Sequence, residues 1–187
     1  MSSKVSKLLG VYRQHLTVPW QAGIAAIQRV IFAVYDKTDE LRLRANVEEF
    51  ALATQQAGKQ WLLIDVTNAF PDWMAAQEYR DAYFESPEDL AGYQTGELTE
   101  FVASLIEQLK ARIAAQSGED TVVALLGVGS LFGLARVSTV VEGIKDAVAG
   151  RLLVFFPGEH HPENHTYRLL DARDGWNYLA VPLLAND

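Results

Sequence analysis

The residues best suited to chemistry stand just after apolar runs that have the composition of buried strands. Asp36 follows the run at 29–35, Asp65 lies near the end of the run at 60–66, and a glycine-rich stretch follows the run at 121–126. In an open parallel sheet, ligands bind in the crevice beyond the carboxyl ends of the strands. The sequence therefore predicts a strand-end crevice formed by Asp36, Asp65, Gly127, Gly129, Ser130, Gly158 and Glu159.

The same polar residues also have a structural interpretation. Asp, Ser, Thr and Asn at the start of a helix accept hydrogen bonds from its first backbone amides. Asp65, Thr67, Asn68 and Ser130 all stand where such N-caps are expected,. Caps at these positions are routine, so capping is favoured over ligand binding, and both interpretations remain open.

The stretch GVGSLFG at 127–133 could bind a nucleotide, because it follows a strand and opens a helix,. A dinucleotide fingerprint requires G-x-G-x-x-G, and the third glycine is one position late here,. A P-loop requires a Gly-Lys-Ser/Thr ending, which is missing,. The pattern therefore favours a tight strand-to-helix turn, with a nucleotide-binding or degenerate nucleotide-handling domain as the alternative. We expect no cofactor.

Three of the four histidines lie close together, at His160, His161 and His165, beside Glu159 and Glu163. These are metal-ligand types, but their spacing matches no standard zinc motif. The chain has no cysteine that could complete such a site. The histidines are weak metal candidates, and no metal site is predicted.

No catalytic residue can be assigned. The chain has no G-x-S-x-G nucleophile elbow, and no histidine can be paired with Ser130 from the sequence,. Asp171 and Asp174 could act as an acid–base pair. Turn formation by Asp174 with Gly175, and pairing of Asp171 with Arg168 or Arg173, explain them better,. We therefore expect that the protein is not an enzyme.

Composition restricts the class of protein. The 187 residues are 49% hydrophobic and 21% charged, which is typical of a globular chain,. The net charge of −8 disfavours direct binding to nucleic acid,. The absence of cysteine fits the cytoplasm,. No apolar run is long enough to span a membrane, and no signal peptide is evident,.

The elements that must position these residues alternate along the chain. Strands are predicted at 29–35, 60–66, 121–126 and 151–156, and helices at 2–16, 38–57, 69–86, 98–116 and 131–148,. A histidine-rich loop follows Pro157-Gly158, and then the runs 167–172 and 178–183, joined at Asp174-Gly175, predict an antiparallel pair,. The fold class is α/β, a three-layer, mainly parallel sheet with helices on both faces and a C-terminal antiparallel β-hairpin.

A single domain over residues 1–187 is the economical interpretation,. Residues 1–18 form an N-terminal helix that either packs on this domain or reaches for a partner. The aromatic-rich segment 73–84 is the preferred protein interface, with packing on the sheet as the alternative,.

Several stretches together resemble the BrxB family of the bacteriophage exclusion (BREX) defence systems. They are Pro19-Trp20, RVIFAVYD (29–36), GVGSLFGLARVS (127–138), GRLLVFFPGE (150–159) and YRLLDARDGWNYLAVPL (167–183). The most specific residues are Phe156, Pro157, Tyr167, Arg168, Asp171, Asp174, Gly175 and Trp176.

The resemblance implies a cytoplasmic accessory or adaptor protein without enzymatic activity, acting through protein–protein contacts in phage resistance. The expected partners are other BREX proteins, first the alkaline-phosphatase-like protein PglZ and second the large ATPase. The resemblance carries no catalytic residue onto this chain.

Overall fold

A sheet of parallel strands lies at the centre of the computed structural model, which describes residues 3–21, 23–87, 98–175 and 180–185. The side chains of 173–175 lie outside this description. The strands are β1 (Val30–Tyr35), β2 (Gln60–Asp65), β3 (Thr121–Leu126), β4 (Arg151–His161), β5 (Thr166–Leu169), β6 (Ala172–Gly175) and β7 (Val181–Leu184). The order across the parallel sheet is β2-β3-β4-β1-β7.

The helices lie between these strands in the chain. They are α1 (Lys4–Leu16), α2 (Glu40–Ala45), α3 (Val47–Gln56), α4 (Ala69–Ala75), α5 (Arg80–Glu85), α6 (Thr99–Gln116) and α7 (Val137–Ile144). Short 3-10 turns occur at Ala26–Arg29, Lys37–Asp39, Val128–Leu131 and Lys145–Ala147. Among the described residues, no helix is both long and apolar enough to cross a bilayer.

Three of the predicted helices are interrupted. The predicted helix at 38–57 divides at Asn46, whose side-chain amide donates to the backbone oxygen of Arg42 at 2.8 Å. Such local bonding competes with regular helix. The predicted helix at 69–86 divides into α4 and α5, and the one at 131–148 begins only at Val137. In the latter, Gly133 has a φ of +78°, which a helix cannot contain,.

The sheet separates two apolar clusters, as the alternation of side chains along a strand requires. One cluster joins Phe32 and Val154 of the sheet to helices α6 and α7. The other joins Ile31 and Phe155 to helices α1, α2 and α3. All six residues of β1 are buried, because both faces are covered,. The predicted three-layer α/β fold is confirmed.

The C-terminal part contains antiparallel hairpins, but their members differ from the prediction. β4 does not end at Phe156: it continues to His161, and Gly158 to His161 pair antiparallel with β5. β5 then pairs with β6 around a turn at Leu170-Asp171, not at Asp174-Gly175, which lie in β6. Leu170 adopts a φ of +53° and donates its amide to the oxygen of Pro157 at 2.9 Å.

The last strand has a different place from the one expected. The predicted pairing of 167–172 with 178–183 is wrong, because β7 lies parallel to β1 at the edge of the main sheet. Pro182 stands opposite Phe32 there. A proline is compatible with an edge strand, where a missing amide donor leaves no neighbour unpaired.

Helix α1 packs on the sheet layer rather than extending away from it. Val5, Leu8, Leu9 and Tyr12 are buried. The Tyr12 hydroxyl lies 2.6 Å from Oγ1 of Thr54 in α3. Because the Thr54 hydroxyl donates to the oxygen of Phe50 at 2.9 Å, Tyr12 is the donor to Thr54,. The division of the chain into domains stays a prediction.

Candidate functional site

A cavity of about 360 Å³ opens at the carboxyl ends of the parallel strands. Thr67 lines it after β2, Gly127, Gly129 and Ser130 line it after β3, and Pro157 lines it within β4. Lys37, Glu40 and Arg44 cover it from the segment that follows β1. The cavity is therefore the strand-end crevice that parallel topology predicts.

Arg44 holds together the polar residues of this crevice. Its guanidinium donates from Nε to Glu40 Oε1 at 2.7 Å, from Nη1 to Asp65 Oδ2 at 3.1 Å and from Nη2 to Thr67 Oγ1 at 2.7 Å. The Glu40 pair spans one helical turn, where opposite charges attract,. Burial would lower the pKa of Arg44, but the bonds to Glu40 and Asp65 outweigh it and raise that pKa.

Asp65 closes a local turn after β2. Its Oδ1 accepts from the Thr67 amide at 2.9 Å and from the Thr67 hydroxyl. Burial alone would raise the pKa of Asp65, yet these bonds, together with Arg44, lower it,. The carboxylate is thus held in its ionised form by its neighbours. It closes a turn with Thr67 and does not stand at the N-cap of the next helix, a position that Asn68 occupies before α4.

Gly127 allows this turn and the next one to approach each other. Its φ of +83° is left-handed, and a Cβ built there would lie 2.3 Å from Thr67 Oγ1 and 2.6 Å from Asp65 Oδ1. The glycine is therefore required by close packing between the ends of β2 and β3. Ser130, one turn on, donates to the oxygens of Gly127 at 2.8 Å and Val66 at 3.2 Å.

A hydrogen bond and an ion pair close the rim of the crevice. Glu40 accepts a hydrogen bond from the Tyr35 hydroxyl. Burial, and then the bond to Glu40, raise the pKa of Tyr35. Lys37 Nζ lies 2.6 Å from Asp171 Oδ2, which joins the β1 end to the β5–β6 turn. The expected ion pair of Asp171 with Arg168 is not formed, because the Arg168 guanidinium donates to the Asp171 backbone oxygen at 2.8 Å. The alternative partner, the side chain of Arg173, lies outside the described residues.

The structure brings only some of the predicted site residues together. Asp65, Gly127, Gly129 and Ser130 meet at the crevice. Asp36 instead caps the turn Lys37–Asp39, accepting from the amide of Thr38 at 2.8 Å. These bonds from Thr38 lower the pKa of Asp36. Gly158 and Glu159 lie on the extension of β4, where a Cβ at Gly158 would meet the Arg168 oxygen at 1.9 Å.

Arg44, Glu40 and Lys37 were missed by reasoning from strand ends. The Glu40–Arg44 spacing of four residues in a helix was the available signal, since it predicts a charge pair,. It did not indicate which face of the helix turns toward Asp65.

The histidines of the β4–β5 hairpin do not converge. His160 packs against Tyr167 with ring centroids 4.7 Å apart and ring planes tilted by 42°. His161 instead lies between Glu159 at 3.5 Å and Glu163 at 3.4 Å. Burial, and then the neighbouring histidines, lower the pKa of His160. Within the described ranges, no group of three or more His, Cys, Asp or Glu side chains is arranged to hold a metal ion.

The resemblance residues divide between core and surface. Tyr167 is buried and packs at 4.8 Å and 5.6 Å, between ring centroids, on Phe32 and Phe156. Pro157 lines the crevice. Trp176 lies outside the described residues, as do the side chains of Asp174 and Gly175.

A comparison with protein-family models gives a match over residues 62–183, to the family described as BREX protein BrxB. This range is more than half of the chain. The chain belongs to the BrxB family. The protein is therefore a component of a BREX phage-defence system. No curated protein and no solved structure was found to be similar to it.

The region matched to the BrxB family includes some of the residues that form the crevice and leaves out others. It begins within β2 and ends within β7, so it contains Asp65, Thr67 and the turn at Gly127. Glu40 and Arg44 precede it. The turns at Asp65–Thr67 and Gly127 thus lie inside the matched BrxB region, and Arg44, which bonds to Asp65 and Thr67, lies outside it.

Proposed function

We propose that this BrxB protein is a non-catalytic adaptor of its BREX system, acting in the cytoplasm through protein–protein contacts. Family membership supports the system, and the state of the crevice supports the absence of catalysis. Arg44 and Lys37 are both engaged by carboxylates, and the Ser130 hydroxyl is bonded to backbone oxygens. Catalysis by Ser130 would require a neighbouring base that takes its proton. Its hydroxyl instead donates to the backbone oxygens of Val66 and Gly127.

The observation that carries the adaptor role is an exposed aromatic pair at α5. Tyr79 caps this helix and Phe84 lies in its last turn, and each is 69% exposed. Trp73, in the preceding helix, instead packs against Phe101 with ring centroids 5.6 Å apart. Large aromatic side chains on a surface are favoured binding hot spots. We name Tyr79 and Phe84 the α5 aromatic pair.

The partner proposed for this pair is the alkaline-phosphatase-like protein PglZ, with the large ATPase second. This order follows the composition expected of a BREX system. The acidic chain, with a net charge of −8, is better suited to binding a protein than to binding a phosphate backbone,.

Co-purification tests the proposal. The tagged protein is expressed with its complete operon, and bound proteins are identified by mass spectrometry. We expect PglZ in a fixed ratio with the wild type, and its loss with the double variant Tyr79→Ser/Phe84→Ser. Leu41→Ser is the matched control, because Leu41 is also a large exposed apolar side chain, 83% exposed, but lies on a different helix, α2. Purification of the wild type alone would contradict the adaptor role.

A second candidate function is nucleotide binding at the crevice. The cavity volume of about 360 Å³ and the position of Gly127, Gly129 and Ser130 beyond β3 favour it. A ligand that binds only the folded state raises its melting temperature. Unchanged melting curves at millimolar ATP, GTP and NAD would remove this candidate.

A further inference from the structure

A second cavity of about 360 Å³ lies at the amino ends of the parallel strands, opposite to the crevice at their carboxyl ends. Arg29 precedes β1, Lys59 precedes β2, Asp120 precedes β3, and Arg151 is the first residue of β4. Trp20, from the segment after α1, forms another wall. The volume is at the lower end of the range of about 300–1,000 Å³ typical of small-molecule sites.

The two arginines of this cavity have unused hydrogen-bond donors. Arg151 is only 8% exposed, and its guanidinium makes one hydrogen bond within the described residues, from Nη1 to the Gly150 oxygen at 3.1 Å. Arg29 likewise donates from Nη1 to the Ala149 oxygen at 3.0 Å, and its buried Nε has no partner. A guanidinium offers five donors, and buried donors are normally satisfied.

Trp20 orients the cations. Arg151 Cζ lies 4.6 Å and Lys59 Nζ lies 4.4 Å from the centroid of its ring, within the range of cation–π attraction,. The cations that contact the Trp20 ring are therefore both side chains of the protein itself. The indole therefore fixes the positions of the positive groups.

The carboxylates at this edge do not neutralise the arginines. Asp120 is paired with Lys59. Glu119 is exposed and makes no ion pair with the described residues. Burial, and then the charge of Arg29, lower the pKa of Arg151. Burial, and then the charge of Arg151, lower the pKa of His15 on the neighbouring α1. The cavity thus holds two positive charges that lack a negative partner.

We propose that this cavity binds a phosphate group, held by the guanidinium groups of Arg29 and Arg151. Planar guanidinium groups bind phosphate oxygens through paired hydrogen bonds, and such charge-assisted bonds are the strong ones. The site is separate from the strand-end crevice and from the α5 aromatic pair.

Isothermal titration with inorganic phosphate tests the site, with chloride keeping the ionic strength constant. We expect saturable binding by the wild type, and binding weakened about tenfold to a hundredfold by Arg29→Gln, as expected for loss of charged hydrogen bonds. Arg112→Gln is the matched control, because Arg112 also donates to one backbone oxygen, that of Leu63 at 3.1 Å, outside this cavity. Its affinity should equal that of the wild type.

The source of the phosphate group is distinguished by a second ligand. Binding of AMP tighter than that of phosphate indicates a phosphate carried by a larger molecule, and equal affinities indicate recognition of the phosphate alone. Equal binding by the wild type and Arg29→Gln would overturn the proposal, as would a wild type that binds no phosphate. If Arg29→Gln does not fold, Arg29→Lys replaces it, since it keeps the charge and loses the planar donors.

Discussion

Arg44 connects the polar side chains of the crevice through its hydrogen bonds. Its side chain is 29% exposed and bonds to Glu40, Asp65 and Thr67. Arg44→Gln leaves two carboxylates close together without the cation that joins them. We expect a loss of about 1–2 kcal/mol in the free energy of unfolding, measured by urea titration. Arg13→Gln, whose ion pair with Glu49 joins side chains that are 50% and 52% exposed, should cost no more than about 0.5 kcal/mol,.

Asp65 should make stability depend on acid pH. Its pKa is lower in the folded chain than the ordinary value of 3.8. Its stabilising contribution is therefore complete above the unfolded pKa and is lost as the pH falls through the folded pKa. We expect the difference in unfolding free energy between wild type and Asp65→Asn to be smaller at pH 3 than at pH 7. A difference that stays constant, or grows in acid, would contradict this.

The segment after β3 contains two glycines with positive φ, Gly127 and Gly133, and only at Gly127 would a Cβ also clash with its neighbours. Gly127 and Gly133 both have positive φ, of +83° and +78°. A Cβ at Gly127 would clash with Thr67 and Asp65, whereas nothing lies within 4 Å of one at Gly133. Gly133→Ala should cost about 1 kcal/mol from backbone strain. Gly127→Ala should cost at least about 1 kcal/mol more from overpacking, in the same denaturation experiment.

Helix α1 is attached to α3 through a buried hydrogen bond. Tyr12→Phe removes the donor to Thr54 Oγ1 and keeps the ring, which packs 5.4 Å, between centroids, from that of Phe50. We expect a loss of about 1 kcal/mol in unfolding free energy. Tyr12→Ala also creates a cavity and should cost about 3–5 kcal/mol. Equal losses in the two variants would show that the ring does not contribute to the packing of α1.

The order of the elements could be predicted because buried strands and amphipathic helices leave a periodic signal. The six buried residues of β1 and the stripe of Phe101, Leu105 and Leu109 in α6 are examples. The course of β4 beyond Phe156 could not be predicted, since Pro157-Gly158 is a common end of a strand. Only the pairing with Thr166–Leu169, a long-range contact, keeps it extended.

The candidate site was predictable in position and not in composition. Parallel topology places Asp65 and Gly127 at one edge. Arg44 reaches them from a helix twenty-one residues before Asp65 in the chain, and its direction depends on packing. The phosphate cavity joins side chains from four separate segments, and their local sequences contain no motif that indicates it.

For the whole molecule, the charge distribution makes a prediction about nucleic acid. The net charge is −8, and the two arginines proposed to hold phosphate lie within a cavity and not on an extended basic face. We expect no retention on a DNA column at 150 mM salt or higher. Retention that falls steeply with added salt would contradict this, because it is the signature of phosphate-backbone contacts. The same protein with its tag removed serves as the control.

The continuity of β4 has a mechanical consequence. One strand belongs to the parallel sheet through Pro157 and to the antiparallel hairpin from Gly158 onward. The Leu170 amide, which donates to the Pro157 oxygen, and the Lys37–Asp171 pair attach the β5–β6 turn to that junction and to the segment after β1. The hairpin is therefore a rigid continuation of β4, with no flexible segment between it and the sheet. A protein that pulls on the hairpin would therefore load the central strand of the sheet directly and move the crevice wall with it.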